Sequence, residues 1–263
     1  MTTTLEPDLV STGVGKVTMN TPSIRLEGIT LQYQTKTLFE DLSASIHGSE
    51  WSVVLGRSGV GKTSLLRLIA GLSADATGQV SASDHLPLEN RIAYLNQHAS
   101  LMPWLSVIDN VLLGYTLRGE KTTALRDKAL NLLEHAGLAN NANQKPLQLS
   151  GGMKQRVALV RTLMEDKPIV LLDEPFSALD AITRLHIQNL AADLLRNRTV
   201  LLITHDPLEA LRLGQHIYVL SGAPAYLQRM TTPSGSIPRS ATDVDLLCHE
   251  AELIAALSQG EQL

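Results

Sequence analysis

A glycine-rich run at residues 56–63 combines a lysine and a hydroxyl residue at a spacing suited to phosphate binding. It reads Gly-Arg-Ser-Gly-Val-Gly-Lys-Thr and satisfies the pattern G-x-x-x-x-G-K-[ST] at every fixed position. The run follows the apolar stretch Val53–Leu55 and precedes a helical pattern that ends near Gly71. Glycines let backbone N–H groups approach phosphate oxygens, and the start of a helix adds favourable partial charge. The order strand, glycine loop, helix predicts a nucleoside triphosphate site.

Two side chains of this loop have separate expected roles. Lys62 would reach the β- and γ-phosphates, and the Thr63 hydroxyl would ligate Mg²⁺. The residues expected to contact the nucleotide here are Gly56, Arg57, Ser58, Gly59, Val60, Gly61, Lys62, Thr63 and Ser64. A similar run at Gly13–Lys16 has Val10 where the first glycine belongs, no strand before it, and no hydroxyl residue after its lysine. We assign that run no chemistry.

Composition narrows the class of protein. The chain has 263 residues, of which 44% are hydrophobic, so we expect one large domain or a core with a subdomain. The net charge is −4, with both signs interspersed, which argues against a broad nucleic-acid-binding surface. The single cysteine, Cys248, cannot form an internal disulfide. Because no apolar stretch approaches ~18 residues and no signal-peptide pattern is present, we expect a cytosolic protein.

Polar residues follow directly after four apolar runs of buried-strand type. The runs and the residues after them are Val53–Leu55 before the phosphate loop, Ile92–Leu95 before Asn96 and Gln97, Ile169–Leu172 before Asp173 and Glu174, and Val200–Thr204 before His205. Short continuous apolar runs are typical of a parallel sheet covered on both faces. Such sheets bind ligands beyond the carboxyl ends of their strands. The candidate catalytic residues are therefore expected at one edge of the sheet.

Each of these polar residues has a possible role and an ordinary alternative. Asp173 would hold Mg²⁺ through water, while Glu174, pointing to the other side of the strand, would act as general base toward the attacking water. Alternatively, the two carboxylates merely end a strand. His205 would sense the γ-phosphate, and Gln97 would ligate Mg²⁺ and orient water; otherwise they are a surface histidine and a loop glutamine.

A second anion site is predicted at Ser150, Gly151 and Gly152, which open a helical pattern. The chain thus offers two phosphate-binding devices but one phosphate loop. A head-to-tail homodimer would resolve this, because each ATP would lie between Lys62 of one copy and Ser150 of the other. The alternative is a plain helix cap followed by a flexible pair of glycines.

Helical patterns dominate the remainder of the chain. Residues 98–161 contain helical signals and no convincing strand, which predicts a helical insertion into the sheet domain. We expect a disordered N-terminal extension at 1–22, an ATPase domain at 23–225, and a C-terminal tail at 226–263. The tail contains a helical pattern near Asp243–Ser258 of unassigned role.

Taken in order, these motifs resemble the ATP-binding subunit of ABC transporters over Ile24–Leu220. The resemblance implies an α/β fold: a RecA-like P-loop NTPase core with a mostly parallel sheet, an N-terminal antiparallel β region and an inserted helical subdomain. It also implies that Tyr33 stacks on adenine, that Gln97 belongs to the Q-loop, and that Asp180 belongs to the D-loop. The stretch Leu149–Met153 resembles the signature motif, with methionine where glutamine is commoner, and we expect activity to survive that change.

The resemblance further implies an ATPase that drives a separate membrane permease. Leu101–Asn110 matches the docking segment for the permease; exposed Met102 and Trp104 would suit such an interface, although Trp104 could instead pack in the core. The motifs are similar to importers of nitrate, sulfonates, taurine and pyrimidine-type solutes, which work with an external solute-binding protein. The subunit would then lie peripherally on the inner face of the cell membrane. Alternatives are an ABC ATPase acting on ribosomes or DNA, and a P-loop kinase, which would leave Leu149–Met153 and His205 unexplained.

Overall fold

The structure is a computed structural model that describes residues 21–33, 36–73 and 75–259, with the backbone alone at Tyr33 and Gln259. Nearly all of the expected N-terminal extension, including the run Gly13–Lys16, lies outside these residues.

A six-stranded sheet forms the centre of the fold. Its strands, in spatial order, are β5 (Ile92–Leu95), β6 (Ile169–Asp173), β7 (Thr199–Thr204), β3 (Trp51–Gly56), β8 (His216–Gly222) and β9 (Ala225–Met230). The first five strands are parallel, and β9 pairs antiparallel with β8. Every residue of β3, β6 and β7 is buried, because these strands are covered on both faces. The four apolar runs of the sequence therefore form four consecutive strands of one sheet, in the order β5, β6, β7 and β3.

A smaller antiparallel sheet covers one face of the central sheet. Its order is β2 (Lys36–Ile46), β1 (Ile24–Tyr33) and β4 (Ala76–Ala82). Together with helix α1 (Lys62–Ile69) it packs on the central-sheet residues that point to this face, such as Val54 and Leu201. Their neighbours Val53 and Leu202 point to the opposite face, as the twofold alternation of a strand requires.

The opposite face carries the other helices. These are α2 (Val107–Val111), α3 (Leu113–Leu117), α4 (Thr123–His135), α5 (Gly151–Met164), α6 (Ala181–Leu194), α7 (Pro207–Leu213) and α8 (Val244–Gln259). Residues 96–168, all of which the structure describes, contain helices and no strand. The inserted helices share one apolar core with the sheet rather than forming a separate one. The mostly parallel sheet, the N-terminal antiparallel sheet and the helical insertion confirm the predicted fold class.

The C-terminal segment is packed onto this framework. Strand β9 extends the central sheet to Met230, beyond residue 225, where the sequence placed the end of the ATPase domain. Helix α8 packs against α7 and buries Leu246 and Leu253. Between these elements, the buried Arg239 donates to the carbonyls of Leu211 (2.6 Å) and Gly214 (2.8 Å). A guanidinium at the C-terminal end of α7 satisfies carbonyls that the helix itself leaves free.

We expect Arg239→Met to lower the free energy of unfolding by about 2–4 kcal/mol, because buried carbonyls lose charge-assisted hydrogen bonds. Urea denaturation monitored by circular dichroism measures the change. Arg196→Met is the matched control, since Arg196 is exposed just beyond the C-terminal end of α6 and pairs with the exposed Asp193. Equal stability of the two variants would contradict the anchoring role of Arg239.

Candidate functional site

The phosphate loop joins β3 to α1 and wraps around the Lys62 ammonium. Lys62 Nζ donates to the carbonyls of Gly56 (2.7 Å) and Arg57 (3.0 Å), and the side chain is buried. Gly61 has φ +114°, a conformation that side-chain-bearing residues rarely adopt, and it is the residue from which α1 begins. The loop thus closes around the Lys62 side chain and leads through Gly61 directly into α1.

Buried charges of opposite sign meet at this edge of the sheet. Burial lowers the pKa of Lys62, and the nearby carboxylates of Glu174 and Asp173 oppose that shift. Burial raises the pKa of Asp173, while a hydrogen bond from Thr63 opposes it. Asp173 Oδ2 is buried and has no hydrogen-bond partner among the described residues. A hydroxyl beside an unsatisfied carboxylate oxygen is a donor set that suits Mg²⁺.

A cleft of about 390 Å³ gathers six of the nine predicted loop residues together with Gln97 and Glu174. Its walls are Lys36, Leu38, Ser58, Gly59, Gly61, Lys62, Thr63, Ser64, Gln97 and Glu174. The cleft therefore brings residues from four places in the sequence to one surface. Its walls combine the loop backbone with the Gln97 amide and the Glu174 carboxylate, a set that can hold a polyphosphate and a water molecule beside it.

The backbone conformation of Glu174 could not be predicted from the sequence around it. Its φ is +47°, in the left-handed region, which is uncommon for a residue with a side chain. The Glu174 N–H donates to the carbonyl of Ile203 (2.9 Å), and its own carbonyl accepts from Gln155 Nε2 (3.3 Å) and Ser177 Oγ (3.1 Å). These three bonds hold the turn in place directly after the buried β6.

His205 approaches the Glu174 carboxylate at the end of the next strand. Its Nδ1 lies 3.2 Å from Glu174 Oε2, and its side chain is 56% exposed. His205 also lines a recess with Gly56, Arg57, Ser58 and Leu257. The two predicted residues are thus in contact, and the C-terminal helix α8, to which the sequence assigned no role, reaches the same edge through Leu257.

A buried hydrogen-bond network supports the backbone on either side of His205. The Thr204 hydroxyl donates to Glu209 Oε2 (2.6 Å) and accepts from the Asp206 N–H (3.0 Å). The Asp206 carboxylate also accepts a hydrogen bond from Arg184 Nη1 (3.0 Å), and this bond links α6 to α7. Burial raises the pKa of Glu209 to about 7. Sequence reasoning missed this network; the only signal was a row of polar residues after a buried strand.

The second predicted anion site lies apart from the cleft. Ser150 Oγ accepts from the Met153 N–H (3.3 Å) and caps α5, and no residue of 149–153 lines the cleft. A Cβ at Gly152 would lie 2.9 Å from the Ala178 carbonyl, so a side chain does not fit there. Met153 packs its half-buried side chain against the core. Within one chain, the phosphate loop and the predicted anion site at Ser150–Gly152 therefore do not line the same cleft.

Asp180 and Tyr33 are the remaining predicted contacts. The Asp180 carboxylate accepts from the Thr183 N–H (3.0 Å) and caps α6, and this bond lowers the Asp180 pKa. Like Ser150, Asp180 lies outside the cleft walls. Tyr33 ends β1, but its side chain lies outside the described part of the structure.

The segment Leu101–Asn110 presents a tryptophan to the surface. Trp104 is 68% exposed, so the alternative that it packs in the core is wrong. The buried Asn110 holds the segment in shape: its side chain accepts from the Met102 N–H (2.8 Å) and donates to the carbonyls of Met102 (3.1 Å) and Ser106 (3.0 Å). Met102 itself is half-buried.

A phosphate loop after β3 and the Glu174 carboxylate after β6, lining one cleft, define a P-loop nucleotide-binding cassette. The family model for ABC transporters matches residues 39–177. An uncharacterized ABC transporter ATP-binding protein of Haemophilus influenzae is 45% identical over 91% of this chain and all of its own length. An aliphatic sulfonates import ATP-binding protein of Granulibacter bethesdensis is 40% identical over 92% of this chain and 98% of its own length. The chain belongs to the ABC transporter family.

Solved structures agree with this assignment. The dimeric structure of MJ0796, a bacterial ABC transporter cassette, is 30% identical, has a TM-score of 0.70, and covers 82% of this chain and 99% of its own. A post-hydrolysis state of the same cassette bound to ADP and Pi has a TM-score of 0.69 at 30% identity. The protein is accordingly an ATP-binding ABC-type ATPase. None of the helices in the described part of the chain is long and apolar enough to cross a membrane.

The raised pKa of Glu209 predicts a pH-dependent stability. The folded state holds this proton up to about pH 7, whereas the unfolded chain releases it near 4.5. Stability therefore falls as pH rises through that window, by an amount on the order of 2–3 kcal/mol. Glu209→Gln keeps the oxygen that accepts from Thr204 and should flatten the slope of unfolding free energy against pH. The exposed Glu134→Gln is the control, and an unchanged slope in Glu209→Gln would contradict the assignment.

Proposed function

We propose that this chain is the ATP-hydrolysing subunit of a solute importer, working as a homodimer on a separate membrane permease. The observation that carries this proposal is the separation of Ser150–Gly152 from the nucleotide cleft. An anion-binding helix start outside the cleft gains a function when a second copy brings it to the nucleotide. Solved dimeric cassettes at 30% identity support the same arrangement.

We assign each group at the cleft a separate role in binding or hydrolysing ATP. The loop N–H groups and Lys62 hold the phosphates, and Thr63, Gln97 and Asp173 hold Mg²⁺. Mg²⁺ bound there neutralises charge on the phosphate oxygens. Glu174 accepts the proton of the attacking water, and His205, 3.2 Å from that carboxylate, orients it and contacts the γ-phosphate.

The partner copy completes each site in this proposal. Ser150, Gly151 and Gly152 of one copy contact the γ-phosphate held by the other, and Asp180 lies at the same interface. Tyr33 stacks on the adenine ring. Two copies related by a twofold axis form two equivalent composite sites. Hydrolysis removes the contact that joins the copies, so the dimer opens again.

The segment Leu101–Asn110 is proposed to dock the permease. An exposed Trp104 on a loop fixed by a buried Asn110 offers a rigid aromatic anchor at little entropic cost. Relatives of 40–44% identity are named for the import of aliphatic sulfonates. We therefore propose a sulfonate or similar small solute, delivered by an external binding protein, with this subunit on the inner face of the membrane.

We expect Glu174→Gln to hydrolyse ATP at least about 10²-fold more slowly, because the general base is lost, and to accumulate as an ATP-bound dimer. Gel filtration with light scattering in Mg·ATP measures the dimer, and phosphate release measures the rate. A Glu174→Gln protein that stays monomeric under these conditions would contradict the composite site.

Mixing two defective variants in the Glu174→Gln background tests the shared site directly. One variant adds Lys62→Ala and the other Ser150→Arg; each alone should fail to dimerise. In a mixed dimer, one site carries both defects and the other carries none, so the dimer should return with one retained ATP. If both devices served the same chain, mixing would restore nothing.

We expect Lys62→Ala to weaken ATP binding by at least about tenfold, since a buried charge-assisted contact to the phosphates is lost. Isothermal titration calorimetry with Mg·ATP measures the affinity, and Lys128→Ala, exposed on α4, is the control. Unchanged affinity for Mg·ATP in the Lys62→Ala variant would contradict the assignment of Lys62 to the ATP-binding site.

A further inference from the structure

A buried glutamine on α5 contacts the turn that carries the proposed general base. Gln155 is 5% exposed, and its Nε2 donates to the main-chain carbonyl of Glu174 (3.3 Å). The two residues are 19 positions apart in the sequence, so this bond is a tertiary contact between a helix and a strand end. A buried amide is costly unless it is hydrogen-bonded, and an apolar side chain would fill the same space at lower cost. The amide at this position is therefore explained by its bond to Glu174 rather than by packing.

The Glu174 turn is held from both sides of its main chain. Its φ of +47° is unfavourable for a residue with a side chain, so the turn needs contacts that keep it in place. On the N–H side, the neighbouring strand supplies the carbonyl of Ile203 (2.9 Å). On the carbonyl side, the bond from Ser177 Oγ (3.1 Å) spans three residues and moves with the turn, whereas Gln155 belongs to a 14-residue helix packed in the core. Gln155 therefore fixes the carbonyl side of the turn relative to the rest of the fold.

The direction of the Glu174 side chain depends on this turn. The side chain is 13% exposed, lines the nucleotide cleft, and places Oε2 3.2 Å from Nδ1 of His205. Relaxation of the turn to an extended conformation would change the direction of the Cα–Cβ bond and carry the carboxylate away from this position. A general base must lie within hydrogen-bond reach of the proton it accepts. Such a displacement would therefore slow the chemical step while leaving the phosphate loop, which holds the nucleotide, intact.

We propose that Gln155 is a positioning residue for ATP hydrolysis and acts through the main chain of Glu174. This inference rests on the proposed function, because it requires Glu174 to be the general base. Helix α5 begins at its cap, Ser150, and Gln155 follows about one and a half turns later. One helix therefore carries both the cap that we assign to the partner's nucleotide and the amide that holds the base of its own site.

Gln155→Met tests the contact, since methionine keeps the length of the side chain and removes the donor. We expect kcat for ATP hydrolysis by the full chain to fall by about threefold to tenfold, the effect of losing one hydrogen bond, with KM for Mg·ATP unchanged. Thr162→Val is the matched control, because Thr162 is equally buried on α5 but its hydroxyl donates to the Ala158 carbonyl within the helix (3.0 Å). Wild-type kcat in Gln155→Met, or an equal loss in Thr162→Val, would overturn the proposal.

The same substitution in the Glu174→Gln background separates positioning from a general loss of structure. With no carboxylate left to position, Gln155→Met should cause no further loss of the residual phosphate release. A damaged fold would instead lower the rate by the same factor in both backgrounds, and that result would refute the proposal.

Two further measurements keep the outcomes distinct. If Gln155→Met does not fold, Gln155→Asn takes its place under the same criteria, because its amide is one methylene shorter and does not reach the Glu174 carbonyl. Wild-type hydrolysis by the Glu174→Gln single variant would contradict the proposed general base itself. Failure of the proposed function is thereby distinguished from failure of the role assigned to Gln155.

Discussion

The buried ammonium of Lys62 is the interaction around which the functional edge is arranged. It lies between the carbonyls of Gly56 and Arg57 and faces the carboxylates of Asp173 and Glu174. A buried cation needs such surroundings, because an unpaired charge in the interior is strongly unfavourable. The parallel sheet supplies them: β3 ends at the loop and β6 ends at the carboxylates, so both charges arrive at one edge.

Contacts between neighbouring strand ends then organise the groups that we propose act on the nucleotide. Glu174 is held in a left-handed turn by Ile203, Gln155 and Ser177, and it meets His205 from the adjacent strand β7. Behind His205, Thr204 and Asp206 connect β7 to α7, while Arg184 connects α7 to α6. The helix that begins at Asp180 is thereby joined physically to the segment that carries the histidine.

The same framework separates the surfaces to which we assign different partners. The nucleotide cleft, the capped start of α5 and the exposed Trp104 occupy different parts of the surface, although the helices beside them share one apolar core with the sheet. The tail joins this core as well, through Arg239 at the end of α7 and Leu257 beside His205.

The sequence by itself determined the features that depend on local pattern. The phosphate loop, the buried strands, the helix start at Ser150 and the inserted helices each follow from neighbouring residues, whose spacing fixes period and turn geometry. Roles for Gln97 and Asp173 came from their position after strands. Only the tertiary structure decided which groups meet: the contact of Glu174 with His205, the exposure of Trp104 and the pairing of β9 with β8. These depend on chain segments far apart in sequence, and packing of the whole core brings them together.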